Sequence, residues 1–489
     1  MRKLIIAAAS TATVGALSLT AAAQAQALPT NTASARATAV SKTVVAGIPA
    51  AFTIAAPSSA AACTWATTGA PGSVTAGAGG TNNCTLLIDG VWPKAAQNTI
   101  TAKVTAGGTS TVFTITVTVL GSPCENDATG VGSDTITPLT DQLATDYNSS
   151  LGCHPSSCSK ATTTKPFEAS WDAVNPINGK IGDTIAEKAD CPKIIRPDGS
   201  TAGIAQLATF TKSTSGPFCT NFARSSRPRG TADPPFAPGG VAFVSLAGDA
   251  VSWSHQATTD APKSLTTAQL NAIYTCTDTN WSQVGGKNAP IQAFLPQSGS
   301  GTLSFFLAAI GVTTPGPCVS NDNNLLEENE GVNKVLQSPN AIFPYSVGDF
   351  IAQSQHSAKC INTNVKAGTA CSPNKHGVVC VHVPSKNFFF CDEHGTMALG
   401  QINGVSPTTG SGQKEKINPA FPSAFDRTLF NVVPFNTTSS PIPSGSKPVG
   451  GLVLTGIFGS TGYDCTNSKA KTDIQNYGFV PLGTCGATS

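Results

Sequence analysis

The stretch GSPCEND, residues 121–127, divides the chain into two textures, and that division limits the fold more than any other feature. Before it, from Ala37 to Leu120, apolar and polar residues alternate in short runs such as TSTVFTITVTVL, broken by Gly, Pro and Asn clusters. Period-two alternation buries one face of a strand. Short strands between turn residues predict an all-β, immunoglobulin-like sandwich, placed at residues 28–121. Trp65, two residues after Cys63 and followed by Cys84, fits a sandwich stapled by a disulfide; nothing in the segment carries chemistry, and it reads as a spacer module. After the boundary, strand-like runs feed helix-like runs through small-residue turns: GVGSDTITPLTDQLATDYN, CPKIIRPDGSTAGIAQLATFTK, VAFVSLAGDAVSWS and SLTTAQLNAIYTC. This alternation predicts an α/β domain over residues 126–489, with ligands outside the carboxyl ends of its strands. FDRTLFNVVPFN at 425–436 predicts a late strand and KAKTDIQNYGF at 469–479 a closing helix.

The first 27 residues have Arg2 and Lys3, a short apolar centre and an A-x-A cleavage pattern, and read as a secretory signal peptide rather than a membrane span. No Cys lies at the cleavage region, so the expectation is export to the periplasm, cell surface or medium without a lipid anchor. Removing the leader leaves 27 basic against 27 acidic residues. A neutral chain without a basic run gives no footprint for nucleic acid. In an exported protein the 15 Cys are expected to be mostly paired, with one left over. The local pairings expected are Cys63 with Cys84, Cys276 with Cys318, Cys380 with Cys391 and Cys465 with Cys485.

Three turns share one design: GSDT at 132–135, DGSTAG at 198–203 and SGSGT at 298–302 each put Gly and hydroxyl residues where a helix begins. ARSSR at 223–227 adds hydroxyls and two guanidiniums. A helix start presents unpaired N–H groups and the positive end of the dipole, so it accepts an oxyanion without Lys. Gly301 allows close backbone approach, while Ser300 and Thr302 supply hydroxyls. Any one of these turns is explained by capping alone; their joint presence points to an oxyanion site.

LTTAQLNAIYTCTDTNW, then GSGT with an apolar helix, then PNAIFPYSVGDFIAQ, resembles the motif order of the phosphate-binding proteins of ABC phosphate transporters, from about Gly130 to the C-terminus. The resemblance implies a two-lobed periplasmic-binding-protein-like fold (type II), with lobe 1 at about 126–228 and 346–489, lobe 2 at about 229–345, and phosphate buried between them. It implies contacts from Ser133, Asp134 and Thr135; from Ser200 and Thr201; from Ser225 and Ser226; and from Ser300, Gly301 and Thr302. The family has an Asp where Ser226 stands and an Arg where Pro296 stands. Arg224 or Arg227 is the expected replacement for the guanidinium, and Asp134 or Asp198 for the proton acceptor.

Cys380, His382, Cys391 and His394 can be drawn as a zinc site, but their spacing fits no common zinc motif and a Cys380–Cys391 hairpin disulfide is the better account. No Ser nucleophile has a visible base partner. EENEG at 327–331 reads as a solvated helix start. The expectation is therefore a non-enzymatic, monomeric binder that captures inorganic phosphate or a similar oxyanion for an ABC permease, with no cofactor and no metal. The alternatives are an adhesion protein with a degenerate binding domain and a secreted phosphoester hydrolase.

Overall fold

The computed structural model describes residues 37–57, 62–71, 74–79, 84–92, 94–121, 123, 127–150, 166–175, 181–214, 216–355, 371–374, 377–380, 393–435 and 453–489. The expected leader, His382 and Cys391 lie outside them, and so does the Cys380–Cys391 pairing.

The N-terminal segment forms two sheets over one core. Strands β1 (Ala37–Val45), β3 (Cys63–Thr68), β6 (Ala96–Ala106) and β7 (Thr109–Leu120) make a four-stranded sheet in the order β1-β7-β6-β3. Strands β2 (Pro49–Ala55), β4 (Val74–Gly79) and β5 (Thr85–Val91) make a three-stranded one in the order β2-β5-β4. Alternation does what it predicts: Phe113, Ile115, Val117 and Val119 are buried while Thr114 faces solvent, and Ile100, Ala102 and Val104 line the opposing strand. These side chains share a cluster with Ile54, Val74, Leu86 and Ile88 of the other sheet, and the Cys63–Cys84 disulfide staples the two. The Trp65 ring packs against Phe113 at 5.7 Å. Among the described strand pairs of this module, β1 with β7 is parallel and the rest are antiparallel. Ile48 and Gly47 lean on Trp171, joining the module to the α/β part of the chain.

That second part is mixed α/β, built on a nine-stranded sheet. Its axis is the 16-residue strand Val241–Gln256, buried along almost its whole length, which accounts for a run that reads as apolar rather than alternating. Residues Val241–Ala250 pair with the late strand Asp426–Pro434; Val251–Ser254 pair with Ala341–Ser346, and Ser254–Gln256 with Met397–Leu399. One strand thus serves two halves. Around the second half Trp253, Trp281, Tyr274, Phe306 and Ile351 form one core, which also takes Ile402, Phe421 and Phe425. Separate clusters around Phe222, Leu143, Ile204 and Phe243 fill the first half.

In the first half Phe222–Ser225 runs parallel to Ala128–Gly132, which runs parallel to Glu168–Ser170. Parallel neighbours end at the same edge, so the residues after each strand meet there. Helix α1 (Thr137–Ser150) leaves from that edge, and α2 (Gly199–Leu207) starts beside it, Gly203 packing so tightly on Gly132 that a Cβ would lie 2.5 Å from its Cα. From the second half, α3 (Thr267–Tyr274) and α4 (Gly301–Ala309) pack on the Trp281 core, and α5 (Val347–Gln355) follows Ala341–Ser346. Three expected disulfides are present, Cys63–Cys84, Cys276–Cys318 and Cys465–Cys485; a fourth, Cys191–Cys219, lies outside the expected set. No helix among the described residues is long and apolar enough to cross a membrane.

Candidate oxyanion site

Four chain segments converge where the halves meet. Ser133 follows strand Ala128–Gly132 and Ser226 follows Phe222–Ser225; the parallel pairing sets their hydroxyls 3.0 Å apart. Ser200, in the first turn of α2, lies 3.2 Å from the Ser226 hydroxyl and accepts from its amide at 3.0 Å. Thr135 and Thr302 face each other across the halves at 3.2 Å. Ser300 is the N-cap of α4, its Oγ accepting from the Leu303 amide. A Cβ on Gly301 would stand 2.4 Å from both the Ser200 and the Ser226 Oγ, so only glycine lets α4 start this close to the opposite half.

The group these donors surround is a carboxylate. Oε1 of Glu328 accepts from the Thr135 amide at 2.9 Å, the Thr135 hydroxyl at 2.5 Å and the Ser133 hydroxyl at 3.2 Å. Oε2 accepts from the Thr302 amide at 3.2 Å and from the Ser300 hydroxyl. Two amides and three hydroxyls thus meet two charged oxygens in a site closed to water. Burial alone pushes the Glu328 carboxyl up, but nearby Arg427 and the Ser300 and Thr135 donors outweigh it and hold the group below its ordinary value, as an anion. The side chain is delivered by a clamped segment: the Gln297 backbone N–H donates to the Leu326 carbonyl at 2.8 Å, and the Tyr345 hydroxyl and the Gln353 side-chain Nε2 donate to the Asn329 carbonyl at 2.8 and 2.9 Å.

This corrects the sequence-based view of residues 327–331. The segment is not a solvated helix start: Glu327, Glu328, Asn329 and Glu330 are buried and none is helical. A row of acids signals solvent only when no complementary donors await it.

The guanidinium of the site is Arg427, which sequence reasoning misses. Its Nη1 donates to the Thr302 hydroxyl at 3.0 Å and to the Ser226 carbonyl at 2.9 Å, and it forms a buried ion pair with Asp249. Sheet register brings it here, because Arg427 lies opposite Asp249 on the long strand. An Arg opening an apolar strand is the one signal the sequence offers for it.

Of the residues expected to bind, Ser133, Thr135, Ser200, Ser226, Ser300, Gly301 and Thr302 gather in this cradle. Asp134 is buried beside it and bonds the Gln297 amide at 3.0 Å. Arg224 is fully buried but directs its donors to the carbonyls of Ser133, Gly132 and Trp171 and to the Ser170 hydroxyl, fixing the 132–133 turn from behind. Arg227 pairs with Asp233 at 2.6 Å and bonds the Thr201 hydroxyl, while Thr201 itself is exposed. The Ser225 hydroxyl donates to the Arg227 carbonyl, stiffening the turn.

Residues 154–371 match the family model of the PBP superfamily domain. Among solved structures the chain is similar to a putative phosphate ABC transporter substrate-binding protein with bound phosphate from Clostridium perfringens, at 13% identity over 73% of this chain and 99% of that one, with a TM-score of 0.41. It is similar to an ABC-type phosphate transport receptor from Vibrio cholerae at 17% identity, covering 72% and 99%, with a TM-score of 0.40. A human phosphate binding apolipoprotein is 13% identical, covering 73% and 92%, with a TM-score of 0.36. No curated protein matches the chain.

Proposed function

We propose that this protein binds inorganic phosphate, or an oxyanion of like size, in the cradle formed by Ser133, Thr135, Ser200, Ser226, Ser300, Gly301 and Thr302, and that it delivers the anion to an ABC permease in an exported compartment. The observation that carries this is the cradle's set of five donors on one carboxylate. Amides of Thr135 and Thr302 and hydroxyls of Ser133, Thr135 and Ser300 point at two anionic oxygens, as they would at two oxygens of a phosphate. Donors from both halves hold the anion, so its arrival draws the halves together. The PBP superfamily match over residues 154–371 agrees with a binding role for this part of the chain. In this proposal Asp134 is the proton acceptor that favours phosphate over sulfate. Binding involves no covalent step.

Glu328 has to yield for phosphate to enter, so the apparent affinity is the intrinsic one reduced by the fraction of molecules with the cradle open. The same carboxylate favours a second reading, in which the cradle is filled for good and the domain is degenerate. Calorimetric titration with phosphate, sulfate and arsenate separates them when run on the parent and on Glu328→Ala. Phosphate binding that strengthens in Glu328→Ala supports the first; no heat of binding in either protein leaves the second.

We also assign the N-terminal module to the immunoglobulin-like class. Its seven strands in sheets of four and three, the parallel pairing of β1 with β7 and the Cys63–Cys84 staple support that assignment.

A further inference from the structure

Beside the cradle lies a second polar site of opposite character. Carboxylate oxygens of Asp134, Asp198 and Glu327 all fall within 4.8 Å of one another. Asp198 is the N-cap residue of α2, yet its side chain makes no capping bond; instead Asp198 and Asp134 both accept from the side-chain Nε2 of Gln297 at 3.0 Å. Glu327 is buried and neither of its carboxylate oxygens receives a donor. The fully buried Gln297 likewise has an unpartnered Oε1. None of the three acids forms an ion pair with Lys, Arg or His among the described residues.

Burying carboxylates this close without compensation is costly. Either protons or a cation must lie between them. One proton joins Glu327 to Asp198 and still leaves the second Glu327 oxygen without a partner, whereas a cation held between the three takes an oxygen from each.

We propose that Asp134, Asp198 and Glu327 bind a hard divalent cation of the Ca²⁺ class. The donors are all oxygen, with no imidazole or thiolate, which selects Ca²⁺, Mg²⁺ or Mn²⁺ over zinc or copper. Ca²⁺ accommodates the whole of the 4.8 Å within which the three oxygens lie. At Ca–O distances of about 2.3–2.6 Å, opposed ligands lie up to about 5 Å apart, while Mg–O distances of about 2.0–2.1 Å span only about 4 Å. The ion also has a way in: Asp198, Ser298, Gly299 and Asn324 line a cavity of about 570 Å³ open to solvent.

The test is calorimetry with CaCl₂ on the full chain, stripped with EDTA and kept in phosphate-free HEPES, so that the result does not depend on the oxyanion cradle. One saturable site is expected, with at least tenfold weaker binding in Glu327→Gln and in Asp198→Asn. The second variant, at a partly exposed position, keeps the test decisive should the first fail to fold. If the parent takes up no Ca²⁺, Mg²⁺ or Mn²⁺ at millimolar concentration, the cluster holds shared protons and the proposal falls. It falls equally if both variants bind Ca²⁺ like the parent, because the ion then sits elsewhere.

Discussion

Replacing Glu328 by Gln keeps the shape of the side chain and removes its charge, so it isolates what the carboxylate contributes to the ligand-free fold. The amide has one accepting oxygen where the cradle aims five donors at two. Whichever way the amide turns, its NH₂ faces at least two donors and leaves them unsatisfied. Nearby Arg427 also loses one of its two anionic neighbours, keeping Asp249. Breaking a buried charged contact of this kind costs about 3–5 kcal/mol. At roughly 2.1 cal/mol/K per residue over a domain of about 360 residues, the unfolding entropy is roughly 0.76 kcal/mol/K, so Tm should fall by roughly 4–7 °C. Scanning calorimetry without added phosphate measures this. The pH dependence gives a second check. Glu328 titrates below its ordinary value in the fold, so its contribution is present above the unfolded pKa, about 4.3, and is lost as pH falls through the depressed folded value. The gap in Tm between parent and Glu328→Gln should therefore be full at pH 7 and narrow below about pH 4. A gap under 1 °C at pH 7, or one of equal size at both ends, refutes the claim that an ionised Glu328 fills a donor cradle.

Three other outcomes are expected. Gly301→Ala places a Cβ 2.4 Å from the Ser200 and Ser226 hydroxyls, so calorimetry should show phosphate affinity reduced at least tenfold, the scale of one lost donor to an anion. Asp134→Asn should lower the phosphate-to-sulfate affinity ratio about tenfold, since an amide can donate to an unprotonated oxyanion; a constant ratio would place selectivity elsewhere. Burial pushes Glu330 up to about 8, so the fold favours its neutral form; that contribution is complete below the unfolded value and is lost as pH rises through 8. Tm should fall between pH 5 and 8.5, and Glu330→Gln should flatten part of the slope, with Asp464, also raised by burial to about 8, supplying another part.

The sequence carries the donors better than the charges. Hydroxyl and Gly turns at helix starts are local signals, and the parallel strands that bring Ser133 and Ser226 together belong to the α/β texture itself. Charge placement depends on distant pairing. Arg427 reaches the cradle through a sheet register with Asp249, 178 residues away, while Arg224 and Arg227, adjacent in sequence to the loop, are engaged by carbonyls and by Asp233. Glu327 and Glu328 mislead for the same reason. Four polar residues in a row look solvated until the loops that bury them are assembled. The disulfides show the same limit: spacing fixes no pairing, since Cys191–Cys219 spans 28 residues and the expected Cys276–Cys318 spans 42, and only the fold-back of the turn before α2 brings Cys191 to Cys219.

The most direct test of the cradle is a crystal structure of the protein grown with millimolar phosphate. A phosphate is expected where the Glu328 carboxylate now lies, with the Thr135 and Thr302 amides and the Ser133 and Ser300 hydroxyls on its oxygens, Arg427 alongside, and Glu328 withdrawn. Phosphate bound elsewhere, with Glu328 still accepting all five of its hydrogen bonds, would contradict the assignment of the cradle as an oxyanion site.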